Sequence, residues 1–138
     1  MELEQIIYDK IVELCAEGDK LLEDDHHEEA IDKYTAALEL VPSPKKEWEA
    51  SLWIYSALGD AHFLKGDFGK AKNDFYDALN CPDGQSNSFV LLRLGQSLYE
   101  SGELEKAKEQ LLRAYILDGD DIFEDEDEKY INLIADII

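Results

Sequence analysis

Leu58-Gly59-Asp60-Ala61-His62-Phe63-Leu64-Lys65-Gly66-Asp67-Phe68-Gly69-Lys70-Ala71-Lys72-Asn73-Asp74-Phe75-Tyr76-Asp77-Ala78 is the stretch that decides the fold. Gly59 is followed twelve residues later by Ala71, and then by Phe75 and Ala78. The same order runs upstream as Gly18, Ala30, Tyr34 and Ala37, and downstream as Gly95, Ala107, Leu111 and Ala114. A small residue late in one helix and two alanines on one face of the next let two antiparallel helices approach closely. A unit of this size cannot bury its apolar face alone and must stack on its neighbours. The sequence therefore predicts an all-α solenoid of three helix-turn-helix units.

Working outward from these anchors, the pattern resembles the tetratricopeptide repeat (TPR), a two-helix unit of about 34 residues. In the first copy Leu14, Gly18, Leu21, Ala30, Tyr34, Ala37 and Pro42 fall on signature positions. The second supplies Tyr55, Leu58, Gly59, His62, Ala71, Phe75 and Ala78, with Pro82 one place early. The third supplies Leu91, Leu94, Gly95, Leu98, Ala107, Leu111 and Ala114, with Gly119 at the proline position. The resemblance implies one domain with repeats over about 11–44, 52–85 and 88–121, closed by a capping helix over about 126–138. The copies are unevenly spaced, 41 residues from Gly18 to Gly59 and 36 from Gly59 to Gly95. The extra residues fall at Pro42-Ser43-Pro44-Lys45-Lys46 and Asp83-Gly84-Gln85.

Local chemistry sets the helix ends. The first helix runs from about Leu3 to Leu22, and the second from about Glu28 to Leu40, where Val41-Pro42 stops it. Ser43-Pro44 reads as the start of the third, with proline in the first turn, and Lys65-Gly66 as its end. Asp67 caps the fourth, Ser86 or Asn87 the fifth, and Asp127 or a neighbour the last. The sixth spans about Glu103 to Leu117. The last helix carries Tyr130, Ile131, Leu133, Ile134, Ile137 and Ile138, so the chain reads as a monomer or, through that apolar end, a weak dimer.

Charge excludes several functions. Thirty-three acidic against thirteen basic residues give a net charge of −20. Such a field repels nucleic-acid phosphates and anionic lipid and speeds association with basic proteins at low salt. No apolar run approaches the ~20 residues that span a bilayer, and the N-terminus lacks a basic start and apolar core. Cys15 and Cys81 read as packing residues in a reducing cytoplasm. Alignment of Asp118–Lys129 with a calcium loop puts Ile122, Phe123 and Lys129 where oxygens and glycine belong, so no metal is expected. His26 and His27 lie in a turn without helix-face spacing. Phosphate loops, nucleophile elbows and zinc-helix motifs do not occur, so neither catalysis nor a cofactor is expected.

Function is then expected to be protein binding. The TPR resemblance implies a concave groove lined by the first helix of each pair. It carries over to Val12, Cys15, Asp19, Leu22 and Glu23, to Trp53, Ser56, Asp60, Phe63 and Leu64, and to Phe89, Leu92, Gln96, Tyr99 and Glu100. Trp53, Phe63 and Phe89 read equally as groove or as core; His62 holds a packing position, and Trp48 closes the gap between repeats. An acid-edged aromatic groove suits an apolar segment with basic flanks. The acidic run of Asp120, Asp121, Glu124, Asp125, Glu126, Asp127 and Glu128 reads either as a solvated turn or as a docking surface for a basic partner. The family's clamp for chaperone C-terminal carboxylates would fall on Cys15, Asp19, Ala57, Phe89 and Arg93, of which only Arg93 fits. From Trp48 onward the chain further resembles small acidic bacterial TPR proteins, some found beside polymorphic toxins. The segments that carry this are Trp53 with Leu58–Phe63, Asn80-Cys81-Pro82, Leu92–Gln96 and Ile122–Tyr130. That resemblance implies an immunity protein neutralising a basic toxin, with a secretion chaperone or a generic scaffold as alternatives.

Overall fold

The computed structural model describes residues 3–138, and no strand occurs among them. Seven α-helices follow in order: α1 (Gln5–Glu23), α2 (His27–Leu40), α3 (Glu49–Lys65), α4 (Phe68–Leu79), α5 (Ser88–Glu100), α6 (Leu104–Asp118) and α7 (Glu128–Ile134). Short 3₁₀ turns lie at Lys45–Glu47, Gly84–Ser86, Gly119–Phe123 and Ala135–Ile137. α1 packs on α2, α3 on α4 and α5 on α6, while α2 meets α3 and α4 meets α5. This is the three-unit helix-turn-helix solenoid, with α7 closing the end over α6.

The signature glycines mark the tightest crossings. A Cβ on Gly18 would lie 2.7 Å from the Tyr34 ring, on Gly59 2.7 Å from Phe75, and on Gly95 2.6 Å from Leu111. Each pair of helices thus meets where a glycine of one receives a large side chain of the other. Ala30, Ala37, Ala71, Ala78, Ala107 and Ala114 are fully buried beside these contacts. Close packing of this kind leaves no room for an added methyl without displacing the facing side chain.

Caps follow the expected chemistry at three ends. Asp67 accepts from the Lys70 amide, Asn87 from the Val90 amide and Asp127 from the Lys129 amide. The start of the third helix is corrected. Pro44 does not open it; Lys45–Glu47 form a separate 3₁₀ turn, Trp48 is extended, and α3 begins at Glu49. Lys45 explains the detour, because its Nζ donates to the carbonyls of Leu38 (2.9 Å) and Val41 (2.7 Å) at the end of α2. The Leu38 carbonyl also accepts from the Val41 amide at 3.0 Å, and the lysine adds to that cap by pulling the connector back over the last turn.

Candidate functional site

The first helices of the pairs, α1, α3 and α5, run side by side, and the residue after each signature glycine faces the next element. In the first pair Asp19 accepts from the Tyr34 hydroxyl at 2.6 Å. The equivalent of Tyr34 in the second pair is Phe75, which has no hydroxyl, so Asp60 turns to the next repeat. In the third, Gln96 is fully buried and donates to Glu126 Oε1 at 2.5 Å.

Arg93 organises the junction between α3 and α5. Its Nε lies 3.2 Å from Asp60 Oδ1, a close ion pair whose geometry is not that of a hydrogen bond. Its Nη1 donates to Gln96 Oε1 (2.8 Å) and Glu126 Oε1 (2.9 Å). The guanidinium also sits 5.1 Å from the Phe63 ring centroid and 5.5 Å from that of Phe89. Burial pushes the Asp60 carboxyl above its ordinary value and Glu126 adds to this, against the lowering effect of Arg93. One cation thus serves two carboxylates between two aromatic faces.

The junction of α5 with the C-terminal segment repeats this chemistry. Lys129 Nζ pairs with Glu100 at 2.6 Å and lies 5.5 Å from the Tyr99 ring and 5.2 Å from that of Tyr130. The Tyr130 hydroxyl donates to the same carboxylate at 2.8 Å. Although burial opposes it, the lysine and the hydroxyl hold Glu100 below the usual glutamate range.

The junction of α1 with α3 differs. Tyr8 and Trp53 meet edge to face at 6.4 Å, and with Trp48 they wall an open cleft of about 460 Å³. Leu3, Gln5, Glu49 and Ala50 complete its lining, which among the described residues contains a carboxylate and no basic side chain. Tyr8 and Trp53 remain 44% and 38% exposed. Trp48 Nε1 is buried and has no hydrogen-bond partner among the described residues.

The residues expected from the sequence divide accordingly. Val12, Asp19, Glu23, Trp53, Leu64 and Phe89 are exposed; Leu22, Ser56, Asp60, Phe63, Tyr99 and Glu100 are half-buried. Cys15, Leu92 and Gln96 are buried, which removes them from any free groove surface. Ser56 donates to the Leu52 carbonyl at 2.7 Å. Burial, reinforced by Asp19, pushes the Cys15 thiol up to about 11, and burial raises Cys81 to about 11, so both stay neutral near pH 7. His62 pairs with Asp74 at 2.6 Å. In the acidic run Asp120, Asp121, Glu124, Asp125, Asp127 and Glu128 are exposed, whereas Glu126 is held by Arg93 and Gln96. Tyr8, Gln5 and Glu49 were not legible as site residues. Tyr8 lies one turn before the repeat frame, four residues from Val12, and that spacing is the signal that places it on the same face.

The tetratricopeptide repeat family model matches residues 90–121, the third helix pair. No curated protein sequence matches the chain. The Yersinia enterocolitica type III secretion chaperone SycD, solved with a peptide of the translocator YopD, superposes with a TM-score of 0.75 at 15% identity, over 97% of this chain and 96% of that one. The Arabidopsis OM64 TPR domain gives 0.75 at 15% identity over 96% and 99%. The second TPR domain of human RPAP3, solved with an HSP70 peptide, gives 0.72 at 16% identity over 95% and 97%. At these identities the likeness is one of fold: the chain has the architecture of a TPR solenoid. No helix among the described residues is long and apolar enough to cross a membrane.

Proposed function

We propose that this chain is a non-catalytic protein-interaction module whose concave face holds a basic segment of a protein partner. One observation carries the reading. Tyr8, Val12, Trp53 and Phe89 stay 38–44% exposed along α1, α3 and α5 of a chain with net charge −20. Aromatic anchors of this type supply most of the binding energy at interfaces, and the acidic field steers a basic partner toward them. The peptide complexes of SycD and RPAP3 support a segment, rather than a small molecule, as occupant. A toxin masked by its immunity protein is the form of this reading that follows from the resemblance to small acidic bacterial repeat proteins. The likeness to SycD favours a second form, a chaperone for a secreted client. Cys15 and Cys81 are free and buried, which suits a reducing cytoplasmic setting under either form.

The test is affinity capture from the native cell with wild type and with the Trp53→Ala/Phe89→Ala pair, washed at low and high salt. A stoichiometric basic partner, lost at high salt and weakened roughly 30-fold or more by the pair, is the expected result. Capture that ignores both aromatics but fails when Asp120, Asp121, Glu124 and Asp125 are neutralised moves the site to the acidic connector. A salt-resistant apolar client selects the chaperone form.

A further inference from the structure

We propose that the cleft walled by Tyr8, Trp48 and Trp53 is the socket for an arginine side chain of the partner. The inference rests on the groove reading above and deepens it. Its warrant is internal to the molecule. Two junctions between neighbouring helices combine a pair of aromatic rings, at least one carboxylate and a cation supplied by the chain itself. At α3–α5 these are Phe63, Phe89, Asp60, Glu126 and Arg93; at α5–α7 they are Tyr99, Tyr130, Glu100 and Lys129. The α1–α3 junction has the rings and the carboxylate, Glu49, but no basic residue lines it among the described residues.

Ring faces attract a cation, and tryptophan, present here twice, does so most strongly. A guanidinium stacks on such faces while its N–H groups pair with a carboxylate, and it sheds water more readily than an ammonium. The cleft, at about 460 Å³, has space for the long arginine stem as well as its head. With net charge −20 the surrounding field favours a cationic occupant over any neutral or anionic one. Arg93 between Phe63 and Phe89 shows the arrangement that the partner's side chain would take up.

The experiment uses the full chain and acetyl-Ala-Arg-Ala-amide as probe, with the citrulline and lysine tripeptides as controls. Trp48 and Trp53 are the chain's two tryptophans, so their indole N–H resonances report the cleft directly. Saturable shifts at the Trp53 indole and the Tyr8 and Glu49 amides are expected, weakened about fivefold or more for citrulline and for Glu49→Gln. Equal binding of the citrulline peptide overturns the cationic socket and leaves an apolar cleft. Equal binding of the lysine peptide overturns the choice of arginine. Shifts confined to Asp120–Glu128 overturn the location. The groove reading fails separately: partner capture that is indifferent to Phe89→Ala but lost in Trp53→Ala, alongside a cleft that takes the arginine peptide, sinks the former and keeps the socket.

Discussion

The junction of α1 with α3 and that of α3 with α5 are built from similar parts and left in different states. The second is closed: Arg93 lies between Phe63 and Phe89, its charge divided between Asp60 and Glu126. The first has Tyr8, Trp53, Trp48 and Glu49 around open space. A solenoid repeats its packing but need not repeat its surface, since the glycine-and-alanine crossings that hold each pair use one face of a helix and the junction chemistry uses another. The second junction spends its aromatic and acidic surface on cohesion between repeats. The first leaves that surface open.

Phe75→Ala should break the closed junction most severely. Phe75 is fully buried, fills the space over Gly59, and meets Phe89 edge to face at 6.3 Å. Its loss leaves a cavity beneath one of the two rings that flank Arg93, at a cost of about 3–5 kcal/mol. Urea unfolding should show the unfolding free energy falling by that amount, and the Arg93 side-chain resonances should broaden or move. A variant within 1 kcal/mol of wild type, on the order of a surface substitution, would mean that the repeat crossings carry less of the stability than their geometry implies.

Arg93→Ala comes next. It strips the cation from two carboxylates, one oxygen of which, Asp60 Oδ1, is buried. Removing one partner of a fully buried pair costs about 3–5 kcal/mol; with Arg93 still 19% exposed, about 1–3 kcal/mol is expected. Combined with Glu126→Gln the loss should be smaller than the sum of the single changes, because the second substitution removes a charge the first has orphaned. The same variant uncovers Phe63 and Phe89 beside carboxylates, so the arginine tripeptide should gain a second site there. Additive losses, or a second junction that stays blind to the peptide, would separate the two regions that the comparison joins.

The pattern of glycines and alanines was legible in the sequence because a crossing distance constrains residue size at fixed spacing. The caps at Asp67, Asn87 and Asp127 were legible for a similar local reason, a side-chain acceptor two or three residues before a free amide. Contacts between distant segments were not. Nothing in the run Asp120–Glu128 distinguishes Glu126 from its acidic neighbours, yet only the fold brings it to Arg93 and Gln96 and takes it out of the docking surface. Gln96 reads as a polar groove residue and is buried by those same partners. The detour before α3 depends on Lys45 reaching back to α2, a long-range pairing that overrides the helix-starting preference of Pro44.

Acidity probes the closed junction more gently. The folded-state value of Asp60 is raised above its ordinary 3.8, chiefly by burial. The folded chain therefore holds that proton more tightly than the unfolded chain, and ionisation of Asp60 takes stability away as pH rises from 3.8 through the raised value. Asp60→Asn removes this dependence. The stability of the variant relative to wild type should climb across that window and stay level above it, whatever constant offset the lost pairing with Arg93 adds. Denaturant curves for both proteins between pH 3.5 and neutrality, about ten points in all, give the slope directly. A difference that falls with pH would show that Arg93 outweighs burial at this carboxylate.

The smallest change in stability should accompany the most informative change in binding. Gln5 lines the open cleft from the first turn of α1 and donates to Asp9 at 2.7 Å. Gln5→Arg would bring a guanidinium of the chain's own to Tyr8, Trp53 and Glu49, giving the first junction the part that Arg93 supplies to the second. Its position near a helix N-terminus costs about 0.5 kcal/mol, and a new cation–π contact returns about the same, so the unfolding midpoint should hardly move. Affinity for the arginine tripeptide should fall about fivefold or more, and the captured basic partner should be lost with it. Gln5→Lys, with a compact and strongly hydrated charge, should block less well because it stacks poorly on the rings. A graft that seats its guanidinium against Trp53 yet leaves partner binding intact would show that the openness of this junction has no part in recognition, and that the two junctions differ only in how they pack.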